Sequence, residues 1–309
     1  MPIGLGLASS HSPNMFVPPE KWHIRYEMRT RLVPQPPAAK QETPEVIHAC
    51  AARMTAGFDV LRQKISEYLP AAIIMVSDDQ GEVFDREAGM PTVAIHSGES
   101  CSGSLNLGFL GADAPTDRIT LKGHPELAMF IARRLVEREF DLTVTHKLRP
   151  LGDPKVGLSH GFTRTAPKLM PALDIPVILI FLNCYYEPLP TARRCLHLGR
   201  SLAAILKDRP ERIAIYGSGG LSHDPMGPRA GWVDEPLDRF VLQSLADGEP
   251  DRLSGLYTVD SDTMRGGTGE IRNWLVTAGA MGDRKATIVD YMAVHHALAG
   301  IGFAYWAPG

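Results

Sequence analysis

Four short apolar runs in this chain stop abruptly at small or polar residues, and longer stretches with helical spacing separate them. Ile3 to Ala8 runs into Ser9-Ser10-His11, and Ala71 to Val76 into Ser77-Asp78-Asp79-Gln80. Val177 to Leu182 ends at Asn183-Cys184-Tyr185, and Ile213 to Tyr216 at Gly217-Ser218-Gly219-Gly220. Runs of this length fit buried strands better than helices. Between them, Pro44 to Tyr68 places Val46, Cys50, Met54, Phe58, Leu61 and Ile65 on one helical face; Pro125 to Phe140 and Ala192 to Lys207 behave similarly. Strands alternating with such helices predict an α/β fold, a mostly parallel central sheet flanked by helices. Ligands of such sheets gather beyond the carboxyl ends of the strands. His11, Asp79, Gln80, Asn183 and the Gly217 loop are therefore expected together.

The Pro- and charge-rich segment 17–40 reads as a lid or irregular excursion. From Asp224 onward the pattern becomes more helical, through Leu237 to Leu245, Ile271 to Ala278 and Ala286 to Leu298. Neither a repeat nor a linker interrupts the pattern, so residues 1–309 read as a single domain. The charge balance, 32 basic against 35 acidic residues, offers no basic block for a phosphate backbone, so nucleic acid is not an expected partner. The longest apolar run, Ile175 to Leu182, is too short to cross a bilayer. The four cysteines, Cys50, Cys101, Cys184 and Cys195, form no C-x-x-C pair. Together with a start that lacks a signal peptide's basic n-region, this predicts a cytoplasmic protein.

Several residues could carry chemistry. His11 sits in a turn-prone S-S-H-S-P setting, where a plain hydrogen-bonding histidine is the commoner case. The turn Asp78-Asp79-Gln80-Gly81-Glu82 reads either as a solvated cap or as oxygen ligands for a cation. His223 lies in Gly217-Ser218-Gly219-Gly220-Leu221-Ser222-His223-Asp224-Pro225, which lacks the spacing of a dinucleotide fingerprint. A histidine held in such a turn titrates near neutrality and suits acid–base work. His160 neighbours Gly161 in a second loop. Glu270 precedes the helical stretch opening at Ile271, where an acid ordinarily complements the helix dipole.

Taken in order, these pieces resemble the type II extradiol ring-cleavage dioxygenases, the family of the protocatechuate 4,5-dioxygenase beta subunit. The resemblance covers nearly the whole chain. It is carried by A-S-S-H-S-P around His11, the acidic strand end from Ser77 to Phe84, and S-H-G-F from Ser159 to Phe162. N-C-Y-Y-E-P-L-P-T-A-R-R-C-L-H-L-G from Asn183 to Gly199 and G-S-G-G-L-S-H-D-P-M-G-P-R-A-G from Gly217 to Gly231 add to it, with G-E-I-R-N-W and A-G-A-M-G-D. The Gly217 to Gly231 motif is the most specific. The resemblance implies Fe(II) held by two histidines and a glutamate, with a catecholic aromatic acid and O2 as substrates. By matching, His11 and Glu270 correspond to metal ligands, His223 to the acid–base residue and His160 to a second active-site histidine. Arg164, Lys168 and Arg229 are candidate anchors for the substrate's acid group. The resemblance also implies self-association, with any small subunit a separate chain.

One position departs from the family pattern. The second ligating histidine is matched here by Gln80, a weaker neutral oxygen donor, although Phe84 keeps the aromatic four residues later. Three outcomes are open: Gln80 ligates, Asp79 or Glu82 replaces it, or the site holds metal poorly. His96 is an outside candidate. The alternatives are a metal-poor, non-catalytic sister subunit of a hetero-oligomeric dioxygenase, a metal-binding scaffold protein on the same fold, and a metallohydrolase.

Overall fold

A computed structural model describes residues 3–108, 118–149, 152 and 155–308. Its centre is an eight-stranded sheet built around four parallel strands. These are β1 (Ile3–Ser9), β2 (Ala72–Ser77), β7 (Val177–Leu182) and β8 (Ile213–Ser218), adjacent in the order β7-β2-β8-β1. All four are buried along their whole length, as expected for strands covered on both faces. They coincide, within one or two residues, with the four apolar runs. β3 (Val93–His96) joins antiparallel to β7, and β6 (Thr143–Thr145) pairs parallel with β3 at one edge. At the other edge β10 (Ala299–Trp306) and β9 (Thr287–Val294) both enter antiparallel. The sheet is thus parallel at its centre and mixed towards its margins. β4 (Ser100–Ser104) and β5 (Arg118–Lys122) make a separate two-stranded ribbon.

Helices cover both faces. The longest, α2 (Pro44–Tyr68), starts where the Thr43 hydroxyl accepts from Val46 N and Pro44 takes the first turn; it ends at Leu69 in the left-handed conformation. Its Met54, Phe58, Leu61 and Ile65 enter the core on one side of the sheet, beside Phe303 and α4 (His160–Leu169). On the opposite side, α3 (Pro125–Val136), α5 (Ala192–Leu206) and α7 (Ile271–Met281) pack together, and α7 is buried throughout. Helix α6 (Glu235–Asp247) is capped by the Asp234 side chain and closed by Gly248. Segment 17–40 is irregular at its ends but contains the helix α1 (Trp22–Thr30), anchored by fully buried Trp22.

One expected helix is a strand. The stretch Ala286 to Leu298 forms β9 and the turn that leads into β10, so His295 and His296 lie in a turn. Its apolar residues admit a helical reading, but Thr287, Ile288, Val289 and Val294 are β-branched and Tyr291 aromatic, and β10 supplies a pairing edge. Among the described residues, no helix is long and apolar enough to cross a membrane. All four cysteines are unpaired.

Candidate metal centre

The carboxyl ends of β1, β2 and β8 lie side by side, and each delivers a polar side chain to one place. His11 follows β1 by two residues, Asp78 directly follows β2, and the glycine loop after β8 carries His223. Glu270, at the entrance to α7, sits among them with only 1 % exposure. One of its oxygens accepts from Gly220 N (2.5 Å) and lies 3.2 Å from His11 Nε2. The other accepts from the Tyr185 hydroxyl and from Gln80 Nε2 (3.2 Å), and lies 3.4 Å from His223 Nε2. A glutamate that would otherwise complement a helix dipole is therefore the hub of the cluster.

The hydrogen bonds fix which ring nitrogen each histidine turns inward. Ser218 Oγ donates to the Gly161 carbonyl (3.1 Å), so it accepts from His11 Nδ1 (2.9 Å). That leaves His11 Nε2 facing Glu270 and Asp78, whose Oδ1 lies 3.7 Å away. His11 Nε2 is buried with no hydrogen-bond partner. An imidazole nitrogen oriented by a bond at its other nitrogen, orphaned, and facing two carboxylates is a donor set suited to a divalent cation. In His160 the Nδ1–H donates to Glu82, which also accepts from His160 N (3.3 Å) and Gln80 N (3.2 Å). The His160 ring meets the His11 ring edge-on at 4.8 Å. His11, Asp78 and His160 present ligand atoms within 4.8 Å of one another, close enough to reach a single ion. His223 Nδ1–H donates to the Leu221 carbonyl (2.9 Å), which turns Nε2 towards the cavity.

Close backbone approach makes this possible. A Cβ at Gly161 would fall 1.9 Å from Ser77 Oγ and 3.0 Å from His11 Nδ1, and one at Gly267 would fall 2.1 Å from His223 Nε2. Both positions need the missing side chain.

The charges of the cluster act on one another at close range. Burial disfavours the His11 and His223 cations, but the Glu270 carboxylate outweighs it and raises both above the usual 6.5. Glu270 itself is pushed up by burial and pulled well below its usual value by those two histidines. Burial, then the neighbouring Glu270 charge, push Asp78 up to about 7, outweighing the pull of His11. His160 falls to about 4, mainly through burial, and is a neutral imidazole donating to an ionised Glu82.

The acidic turn is sorted by this geometry. Asp79 points away from the cluster: it accepts from the backbone N–H groups of Gly81, Val83 and Phe84 and from Ser159 Oγ. Glu82 is committed to His160. Gln80 is at the cluster, but as a donor, its Nε2 reaching Asp78 Oδ2 (3.1 Å), Tyr185 Oη (3.0 Å) and Glu270. His96 lies elsewhere, bonded to Thr145, because antiparallel β3 turns its carboxyl end away. Arg164 lines the same cavity of about 470 Å³ as His11, His160, His223 and Glu270. Lys168 borders a different hollow beside Trp22 and Met54, and Arg229 a small recess on the far side of His223. Asp78 and Tyr185 were not singled out by sequence, though both lie inside the motifs quoted above.

Residues 32–304 match the family model described as the catalytic LigB subunit of aromatic ring-opening dioxygenase. The chain belongs to this family. Among LigB relatives, a 2,3-dihydroxyphenylpropionate/2,3-dihydroxicinnamic acid 1,2-dioxygenase of Photorhabdus laumondii is 29% identical over 60% of this chain and 53% of its own length. A gallate dioxygenase of Pseudomonas putida is 30% identical over 54% of this chain and 48% of its own. The chain thus spans about half the length of these two curated relatives. A Cupriavidus necator protein, named like the first, aligns over 80% of this chain and 88% of its own at 23% identity. The fold is shared with the crystal structure of an uncharacterized Escherichia coli K12 protein, with a TM-score of 0.53 and 19% identity over 80% of this chain and 92% of that one.

Proposed function

We propose that this LigB-family chain is a non-haem Fe(II)-dependent extradiol dioxygenase that opens the ring of a catecholic acid with O2. The observation that carries the reading is the orphaned His11 Nε2 facing Glu270 and Asp78, with His223 Nε2 opening onto the same cavity. In this reading His11, Glu270 and Asp78 hold the ion, and Gln80 bonds to the two carboxylates and fixes their orientation. Asp78 is chosen over Asp79 and Glu82 because those two are spent on backbone caps and on His160. The ion, when bound, supplies chelation of the diol and activation of dioxygen.

The chain's own residues supply the proton handling. The Leu221 carbonyl holds the proton on His223 Nδ1, so Nε2 is the atom that takes the proton leaving the diol and later returns it. Glu82 does the same for His160, leaving its Nε2 as an acceptor for a substrate or water proton. Tyr185 donates to Glu270 and narrows the directions in which that carboxylate can bind. Arg164 lies on the cavity wall as a partner for the acid group.

The reading takes residues 1–309 as one domain of a cytoplasmic, self-associating enzyme, and the four free cysteines fit a reducing compartment. One observation favours a second reading, a non-catalytic sister subunit: Gln80 stands where the family places a ligating histidine. Iron loaded anaerobically and oxygen uptake measured against a panel of catecholic acids separate the two. Stoichiometric iron and oxygen-dependent ring opening are expected; iron content near zero, with activity only beside a second chain, overturns the proposal. Turnover that continues without oxygen would instead point to hydrolysis.

A further inference from the structure

Three guanidinium groups line the cavity that holds His11, His223 and Glu270: Arg25 and Arg29 from α1, and Arg164 from α4. None of them makes an ion pair among the described residues. Arg25 is buried and gives one terminal nitrogen to Ser12 Oγ (3.3 Å) and the Ala297 carbonyl (3.1 Å). Arg164 is buried and gives Nε to the Leu105 carbonyl (2.7 Å) and a terminal nitrogen to the Asn106 carbonyl (2.9 Å). A guanidinium has five N–H donors, so both keep donors that no described residue occupies. In Arg29 the Nε is buried and has no hydrogen-bond partner. Burial, then the charges of Arg164 and Arg29, press Arg25 down to about 9, and burial brings Arg164 to about 10. Arg25 feels the repulsion of Arg164 and Arg29, and Glu82, Asp78 and Glu270 act on Arg164 only from beyond ion-pairing distance, so the wall presents positive charge suited to an anion.

We infer that Arg25, Arg29 and Arg164 recognise a carboxylate carried by the ring substrate, so that α1 is a specificity element and not only a cover. The inference rests on the dioxygenase reading for the identity of the ring and deepens it: the substrate's diol reaches His11, Glu270 and His223 while its acid group faces the arginines. The planar, forked donors suit a carboxylate better than a neutral polar group. Of the anchors expected from sequence, only Arg164 belongs to this wall. The two added arginines lie in a segment whose sequence shows no regular pattern.

The test uses the iron-loaded protein with 3,4-dihydroxybenzoate and its methyl ester, which keeps the diol and removes the charge. The wild type is expected to prefer the acid in kcat/KM. Replacing the half-buried Arg29, R29Q, is expected to lower that preference about ten- to a hundredfold, mainly through KM, the range for one hydrogen bond to a charged group. R29K should restore part of it, and unfolding midpoints identify any variant that misfolds. An acid preference absent in the wild type, or unchanged in both R29Q and R25Q, overturns the inference. If no diol is turned over, binding of the same acid and ester to metal-free protein decides separately. Acid binding weakened by R29Q would keep the anion wall while the dioxygenase reading fails; wild-type binding that ignores the charge would remove the wall as well.

Discussion

Replacing Asp78 by asparagine separates the cost of this site from its use. Asparagine keeps the shape and an oxygen towards Gln80, but removes one charge from a position with no exposure at all. In metal-free protein, burial and the Glu270 carboxylate raise Asp78 to about 7, against a usual value of 3.8. A raised carboxyl pKa means that the folded protein binds this proton more tightly than the unfolded chain. The stability it contributes is therefore whole below about pH 4 and lost as the pH climbs through about 7. At about 1.4 kcal/mol per unit, the loss reaches up to about 4 kcal/mol. Metal-free wild type should accordingly weaken relative to D78N between pH 4 and 8, and D78N should be the more stable of the two at pH 8. Ferrous ion should reverse the order, because binding stabilises only a folded site that keeps its ligands. Urea unfolding at pH 5 and pH 8, anaerobically, with chelator or with ferrous ion, reads all four states. D78N less stable than wild type at pH 8 without metal, or an undiminished metal-induced shift in D78N, would refute the reasoning.

His223→Ala should lower kcat by about 10²- to 10⁴-fold while iron content is unchanged, as measured by oxygen uptake and metal analysis; full turnover would remove His223 from its role. Gly161→Ala should cost about 1–3 kcal/mol in urea unfolding, because its Cβ meets Ser77 Oγ, and should weaken iron binding by displacing the His11 ring. Gln80→Ala should weaken iron binding by about ten- to a hundredfold, as loss of a supporting hydrogen bond does. If it abolishes binding as fully as His11→Ala, Gln80 is itself a ligand.

The sequence by itself determined the central strands and the places where they stop. Runs such as Val177 to Leu182 are apolar on both sides because helices cover both faces of the sheet, and their ends had to be loops where polar groups meet solvent or ligand. That periodicity was enough to bring His11, the acidic turn and the Gly217 loop to one end of the molecule, and the motif order named the family. Ala286 to Leu298 reads as helix in sequence and is a strand in the fold, because apolar spacing alone does not separate a short amphipathic helix from a strand until the partner edge of β10 is present. Only the tertiary structure decided which carboxylate of Asp78, Asp79 and Glu82 faces His11. Neighbouring residues in a turn point in different directions, set by backbone hydrogen bonds such as those that hold Asp79. It also brought Arg25 and Arg29 to the same cavity as His160, Arg164, His223 and Glu270, each more than a hundred residues away in the chain, a proximity that no local pattern encodes.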